Sequence, residues 1–478
     1  MEPLKTKQHK TLPENLLNQL RTGFSGNLFS EEDPAYDEER KLWNKMIDRR
    51  PALIAQCAGE ADVVRAVNFA RKNGMLVAVR GGGHNVAGNA MNDGGIVIDL
   101  SRMRQVTVDP VNRTARVQGG ATWADVDRET QAFGLACTGG VVSETGVGGL
   151  TLGGGFSWFR RKAGMSIDNL IGVDLVLADG RTVYASETKN SDLFWAIRGG
   201  GGNFGIVTSF DFKLQELGPE VMFAACMYPR SEADKVMRSW LDYTRNLPEE
   251  ITTDCFHWTI PEFEAFPAEV HNRKVTVLAG MYAGPPEKGQ QALQPLRNVA
   301  TPVLDLSNVY PYVAVQGMFD PIMAKYKFNS YWKSLFLKDI SGSLREKLID
   351  MANDLPTDHS LLFVRNLGGA ISRVPSDATA FGDRSAQFLV SFEIMWEDPS
   401  EDERNIEWTK NAWEELRQYT DGQVYFNFNS DMNGKSDLMK DSFGRNYSRL
   451  IEIKTKYDPD NFFRMNANIV PQKEMLKS

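Results

Sequence analysis

The sequence predicts an α+β protein of two domains: a glycine-rich first domain, then a domain built on an antiparallel sheet backed by helices. Three observations carry this. From about residue 50, short apolar strands alternate with amphipathic helices. Three glycine-rich segments, at 81–83, 139–155 and 199–205, lie at the ends of those elements. Near 215–220 the glycine clusters stop, and longer strands and helices rich in aromatics continue to about 415.

The elements follow in order. Residues 1–46 read as a mostly helical, charged lead-in. Residues 52–55 form a strand. Residues 59–73 form an amphipathic helix with Val63, Val64, Val67 and Phe69 at helical spacing. Strands follow at 75–79 and 95–100. Residues 106–108 and 115–117 make a hairpin across the turn Asp109-Pro110-Val111-Asn112. Thr122 caps a helix over 122–133. Strands at 171–177 and 182–185 flank the turn Ala178-Asp179-Gly180. A short helix at 191–197 leads through glycines to a strand at 206–214. In the second domain the strands are 275–282, 360–367 and 387–396, and the helices 233–246, 286–298, 342–353 and 400–418. The boundaries are therefore 1–46 for the lead-in, 47–217 and 218–420 for the two domains, and 421–478 for a polar, aromatic C-terminal segment.

Composition excludes several classes. Fifty-four basic against 62 acidic residues give a net charge of −8, which argues against nucleic acid or an anionic membrane as partner. No apolar run reaches the roughly 18 residues a membrane helix needs. The N-terminus shows no apolar signal region, so a soluble, cytoplasmic protein is expected. Cys57, Cys137, Cys226 and Cys255 are scattered and read as buried thiols, without a disulfide frame or metal site. The basic run Arg160-Arg161-Lys162 reads as a solvated loop face. Oligomeric state is not encoded in any pattern we recognise.

The glycine segments carry the chemistry. Gly200-x-Gly202-x-x-Gly205 matches a dinucleotide fingerprint literally, but a helix precedes it and a strand follows, the reverse of what that fingerprint needs. No phosphate-binding P-loop occurs. The pattern fits instead one long anionic ligand cradled by three separate segments, whose backbone N–H groups take its phosphates and whose flat backbone takes a planar ring. One imidazole sits inside such a turn, in Arg80-Gly81-Gly82-Gly83-His84-Asn85.

These residues resemble a known family. The segment 79–85 with Asp93-Gly94-Gly95-Ile96-Val97-Ile98-Asp99-Leu100-Ser101 is similar to the PCMH-type FAD-binding domain, which has two subdomains, of the vanillyl-alcohol oxidase superfamily. Gly146-Val147-Gly148-Gly149, Gly153-Gly154-Gly155, Asp168-Asn169 and Arg198 to Val207 agree. So does the C-terminal run from Asn446 to Ile469. Within the superfamily the chain resembles the berberine-bridge-enzyme-like FAD-linked oxidases.

The resemblance implies FAD attached covalently through His84, a neutral imidazole nitrogen bonding the 8α carbon of the flavin. Many relatives carry a second, cysteinyl link, but here that position is Val142, and Leu150 replaces a frequent histidine. A single tether is therefore expected, as in bacterial singly linked members. The implied cofactor shell is His84, Arg80, Gly81, Gly82, Gly83, Asn85, Gly139, Gly140, Thr145, Gly146, Gly148, Gly149, Thr151, Gly154, Gly155, Asn169, Gly205, Ile206, Val207, Asn466 and Asn468.

Substrate residues are expected on the second domain's sheet. Alternation in the strand 388–396 puts Leu389, Ser391 and Glu393 on one face. Glu393 is the first candidate for a base or amine-recognition residue, with a solvent-facing edge carboxylate as the alternative. Tyr425-x-Asn427 resembles the family's element beside the flavin, with Tyr425 as aromatic wall or, if a neighbour depresses its pKa, proton acceptor. Residues 329–334 are candidates for aromatic walls and a cation, from Lys333. The implied activity is hydride transfer from a small hydroxyl- or amine-bearing molecule to the flavin, with O2 returning as H2O2. A dehydrogenase with another acceptor and an idle flavin-binding protein stay open.

Overall fold

The computed structural model describes residues 12–431 and 436–475. The runs at 52–55, 75–79 and 95–100 form Leu53–Gln56, Val77–Arg80 and Ile96–Asp99, with Ile96–Asp99 central and parallel to both neighbours. Helix Glu60–Lys72 makes the crossover and buries Val63, Ala66, Val67, Phe69 and Ala70 on this sheet. The lead-in is less helical than expected. After helix Glu14–Arg21, strand Asn27–Phe29 pairs antiparallel with Leu53–Gln56 and becomes the sheet's edge. A three-residue strand is too short to show a period in sequence.

A second, five-stranded antiparallel sheet follows in the order Val106–Asp109, Thr114–Gln118, Ile206–Lys213, Leu170–Val176, Thr182–Ser186. Helix Trp123–Gln131 packs against it and opens with a capping box between Thr122 and Asp125. The helix Ser191–Ile197 before the third glycine segment and the strand Ile206–Lys213 after it confirm that this segment is not a dinucleotide fingerprint.

The second half is an antiparallel sheet of eight strands backed by helices. Its centre runs Glu220–Pro229, Lys274–Tyr282, Ile251–Thr259, Leu361–Asn366, Phe388–Trp396, Asn329–Leu337. Three of these strands, Glu220–Pro229, Ile251–Thr259 and Asn329–Leu337, escape sequence reading although they are buried to the same degree as the strands it finds. In the last two, buried polar residues such as Asp254, His257, Ser330 and Lys333 interrupt the apolar run. Helices Ala233–Thr244, Gly342–Asn353 and Asp402–Leu416 form where expected. The helix expected over 286–298 is instead Pro286–Ala292 and Gln294–Arg297. Pro295 lacks the N–H that a continuous helix needs.

The run Arg160-Arg161-Lys162 is not a solvated face. Arg160 and Arg161 are 1% and 6% exposed. Arg160 pairs with Asp254 of the large sheet and donates to the Asn366 carbonyl at 2.8 Å. Arg161 donates to the carbonyls of Ile251, Leu367 and Leu247, and Lys162 to that of Ala283 at 2.7 Å. Three cations thus pin the glycine-rich half to the second half.

The C-terminal segment returns to the first half. In helix Asn446–Tyr457, Lys454 is fully buried and pairs with Asp458 at 2.6 Å. It also donates to the Asn203 and Phe463 carbonyls. All four cysteines are buried free thiols. Among the described residues no helix is long and apolar enough to cross a membrane.

The buried Arg160–Asp254 pair sets the first expected outcome. Asp254→Ala strands a buried guanidinium and lowers unfolding stability by about 3–5 kcal/mol. Chemical denaturation of the two proteins side by side checks it, and a loss below that of an ordinary surface substitution contradicts it.

Candidate active site

The turn after Val77–Arg80 owes its shape to contact with the second glycine segment. A Cβ on Gly82 would sit 2.5 Å from the Gly146 nitrogen, and one on Gly146 would strike the Gly82 nitrogen in return. Two chains cross there backbone to backbone, which only glycine permits at both positions. The crossing leaves His84 at the cavity wall, stacked on Trp43 with ring centroids 4.6 Å apart and planes at 21°. Enclosure disfavours the imidazolium and lowers the His84 pKa to about 4, so the ring is neutral at physiological pH. Its Nε2 is buried with no hydrogen-bond partner among the described residues.

One continuous cavity joins all three glycine segments. Gly81, Gly82, Gly83, His84 and Asn85 line it from the first; Gly140, Thr145, Gly146, Gly148 and Gly149 from the second; and Gly205, Ile206 and Val207 with Gly199–Gly202 from the third. Val142 and Leu150 also line it, and Asn466 closes it from the C-terminal segment. A Cβ on Gly149 or Gly202 would meet nothing within 4 Å, so these two leave open space along the trough. Thr151 Oγ1, Asn466 Oδ1 and Asn468 Oδ1 are buried polar atoms without a partner among the described residues; Asn466 lines the cavity, while Thr151 and Asn468, expected in the shell, do not. Space bounded by bare backbone, together with unspent polar atoms, suits a long polar ligand such as FAD.

Several expected shell residues act one layer back. Arg80 does not line the cavity. It is buried in an ion pair with Asp99 at 2.6 Å and reaches Glu39, which braces the turn from behind. Asn169 spends its amide on the carbonyls of Ala163 and Met165 and on Thr138 Oγ1, and accepts from Gln215. Gly139 lies against the Trp123 ring. Gly154 and Gly155 hold positive φ beside Met165 and Ser166 and do not line the cavity. Asn203, absent from the expected shell, lines the cavity. It joins the third segment to the C-terminal one, donating to Gly200 and Ala467 and accepting from the Ile469 N–H.

The opposite wall is the large sheet. Register places Trp332 beside Glu393, and Ser391 beside Phe363, on the face toward the cavity. Glu393 is 2% exposed, not a solvent-facing edge carboxylate. Its Oε1 accepts from Ser391 Oγ at 2.8 Å and from Arg365 Nη2 at 2.7 Å. Arg365 also donates to Ser391 Oγ at 2.6 Å, and its guanidinium lies over the rings of Phe363 and Phe428 at 4.1 and 4.8 Å. Sequence reading missed Arg365. It stands inside an apolar run, LLFVRN, and only its cross-strand partners show its purpose. The cation expected from Lys333 is not on this wall. Alternation turns Lys333 to the other face, 4.9 Å over Trp413, while Trp332 lines the cavity.

Tyr425 and Asn427 meet at the glycine segment. Tyr425 Oη accepts from the Gly155 N–H at 3.0 Å and from Asn427 Nδ2 at 2.8 Å, and Asn427 Nδ2 also donates to the Leu150 carbonyl. Those donors and Arg365 favour the phenolate, but burial outweighs them and raises the Tyr425 pKa to about 12. Tyr425 is therefore a neutral phenol that locks the wall through Gly155 and Asn427. Asn427 lines the cavity beside it.

Comparison with known proteins agrees with this geometry. A family model described as "FAD binding domain" matches residues 51–186, and one described as "Berberine and berberine like" matches 424–470. An FAD-linked oxidoreductase of Dictyostelium discoideum is 30% identical over 464 residues, covering 95% of this chain and 97% of that protein. The (R)-6-hydroxynicotine oxidase of Paenarthrobacter nicotinovorans is 29% identical, covering 94% and 97%. The crystal structure of 6-hydroxy-D-nicotine oxidase from Arthrobacter nicotinovorans superposes with a TM-score of 0.83 at 28% identity, covering 94% of this chain and 98% of that one. A BBE-like protein of Physcomitrella patens shares the fold, with a TM-score of 0.85 at 23% identity.

The Gly82–Gly146 crossing gives a direct test. Gly82→Ala forces two backbones apart, and the purified protein retains less than about a tenth of the wild-type flavin, as expected when a bound group loses its backbone cradle. Gly342→Ala, at an open, exposed position outside the cavity, keeps wild-type flavin and stability. Flavin absorbance per polypeptide and a melting curve read both, and equal flavin in the two proteins contradicts the account.

Proposed function

Because the chain belongs to the berberine-bridge-like family of FAD-linked oxidoreductases, we propose that it is an oxidase that takes a hydride from a C–H bond of a small hydroxyl- or amine-bearing substrate. Bound in the glycine trough, FAD would supply the two-electron acceptor, with O2 as the final acceptor and H2O2 as its product. The observation that carries this reading is one cavity with a neutral histidine at one wall and a buried carboxylate at the other.

The chain's own residues divide the work. His84, neutral and fixed against Trp43, is the single covalent tether. Val142 stands on the cavity wall where relatives' second anchor would be, and a valine side chain cannot form that bond. The backbone N–H groups of the glycine segments, with Asn466, hold the cofactor's polar parts, and Asn203 ties the third glycine segment to the C-terminal one behind them. Glu393 is the base. Oε1 is held by Arg365 and Ser391, and no protein donor among the described residues reaches Oε2, which is left to take the substrate's proton. Arg365 holds the carboxylate in place through its hydrogen bond to Oε1. Tyr425 and Asn427 fix the glycine segment and shape the wall between substrate and cofactor. The aromatic walls exclude water from the reacting carbon.

Two outcomes check the roles. Glu393→Gln slows anaerobic flavin reduction by about 10²–10⁴-fold, the usual range for a lost general base, while flavin content stays at the wild-type level. Tyr425→Phe slows it by less than about tenfold, because a neutral phenol accepts no proton in the step. A larger loss in the tyrosine variant than in the glutamate variant reverses the assignment. Oxidase action itself is read as one H2O2 per substrate turned over in air. Slow reoxidation of the reduced protein, without peroxide, would falsify it in favour of a dehydrogenase.

A further inference from the structure

We propose that the substrate is an uncharged, ring-bearing alcohol whose hydroxyl meets Glu393, and that Arg365 is the positioning residue that sets this choice. The inference rests on the proposed oxidase reading and narrows it.

The substrate half of the cavity is walled by rings. Trp332 and Phe363 come from the sheet, Phe428 from the C-terminal segment and Phe319 from the loop after helix Tyr312–Gln316. Phe428 stands edge-on to both Trp332 and Tyr425, at 5.6 and 4.9 Å. Such faces and edges bind a flat apolar ring well and a polyhydroxylated one poorly.

Most polar groups here are already committed to one another; the buried Trp332 Nε1 is a donor left without a partner among the described residues. Asn427 donates to Leu150 and Tyr425. Asn429 donates to Ser334 Oγ and to the Tyr425 carbonyl, and accepts from the Ser334 N–H. Tyr425 Oη accepts two bonds. A sugar would bury several hydroxyls against this wall with few partners, whereas a single hydroxyl finds Glu393 Oε2.

Charge excludes the protonated amines. Glu393 faces Arg365 directly, and the charge of Glu393 is spent on it. Behind Arg365, register sets Asp254 opposite it, and Asp254 pairs with Arg160. With Tyr425 neutral, the groups around Glu393 sum to no net charge, so an ammonium would enter without a counter-ion. A neutral alcohol carries no such penalty. In the step, the O–H proton passes to Glu393 Oε2 as the C–H electron pair leaves with its hydrogen to the bound flavin. The alcohol becomes a carbonyl, and the flavin is reduced by two electrons.

The test uses the flavin-loaded protein under anaerobic conditions at neutral pH. Benzyl, cinnamyl and 2-naphthylmethyl alcohols are compared with cellobiose and with benzylamine. At least one aromatic alcohol is expected to bleach the flavin about tenfold or more faster than either other probe, and to perturb the oxidised flavin spectrum on titration. Faster bleaching by cellobiose or benzylamine overturns the substrate class. So does the absence of both bleaching and spectral change with all three alcohols. A protein that carries no flavin at all defeats the oxidase reading itself, which is a different failure. Arg365→Met separates positioning from mere packing. Without the guanidinium the carboxylate is no longer oriented, so Arg365→Met slows flavin reduction at saturating alcohol by about tenfold or more while apparent affinity for the alcohol changes by less than about threefold, and Arg365→Lys, which keeps a cationic donor, recovers most of the rate. A loss confined to affinity in Arg365→Met, or an equal loss of saturating rate in Arg365→Lys, overturns the role of Arg365.

Discussion

The contact between Gly82 and Gly146 is the constraint on which the cofactor side depends. It joins the turn after a parallel strand to a loop some sixty residues later, at a separation that admits no side chain. Once the two backbones touch, the direction of the chain through His84 is set, and the imidazole has nowhere to go but the cavity wall beside Trp43. Arg80, from the same turn, cannot follow it. Its ion pair with Asp99 and Glu39 ties the turn down from the rear. Thus a packing restriction among glycines becomes a chemical property, a neutral and oriented imidazole.

The second wall is held by charge. Arg160, Arg161 and Lys162 dock the glycine-rich half on the large sheet, and Asp254 links that latch across one strand pair to Arg365 and so to Glu393. The group that holds the two halves together therefore adjoins the group proposed to hold the base. Tyr425 closes the remaining side, with its hydroxyl on Gly155 and Asn427 and its carbonyl bonded by Ser334 Oγ and Asn429. Together these contacts keep both walls of the cavity in register.

Much of this was legible in sequence, where a residue's surroundings are local. His84 could be read because three glycines flank it, and the strand 388–396 because its alternation put Ser391 and Glu393 on one face, as the register bears out. Reading failed where a partner lies far along the chain. Arg365 looks like a polar break in an apolar strand until Glu393 and Ser391 stand beside it. Arg160 and Arg161 look solvated until Asp254 and the Ile251 and Leu367 carbonyls surround them. Arg80 and Asn169 sit within the family's motifs, yet support the cavity from behind. Two central strands hid because buried polar residues such as Asp254, His257, Ser330 and Lys333 interrupt their apolar runs.

The central claim is that a neutral His84 is the one covalent tether of the flavin in this chain. Peptide mapping by mass spectrometry of the denatured holoprotein tests it most directly. The account predicts a single flavin-bearing peptide, heavier by one FAD less two hydrogens, with fragmentation placing the addition on His84. A flavin released intact on denaturation contradicts the account, as does an addition at any other residue or a second attachment site.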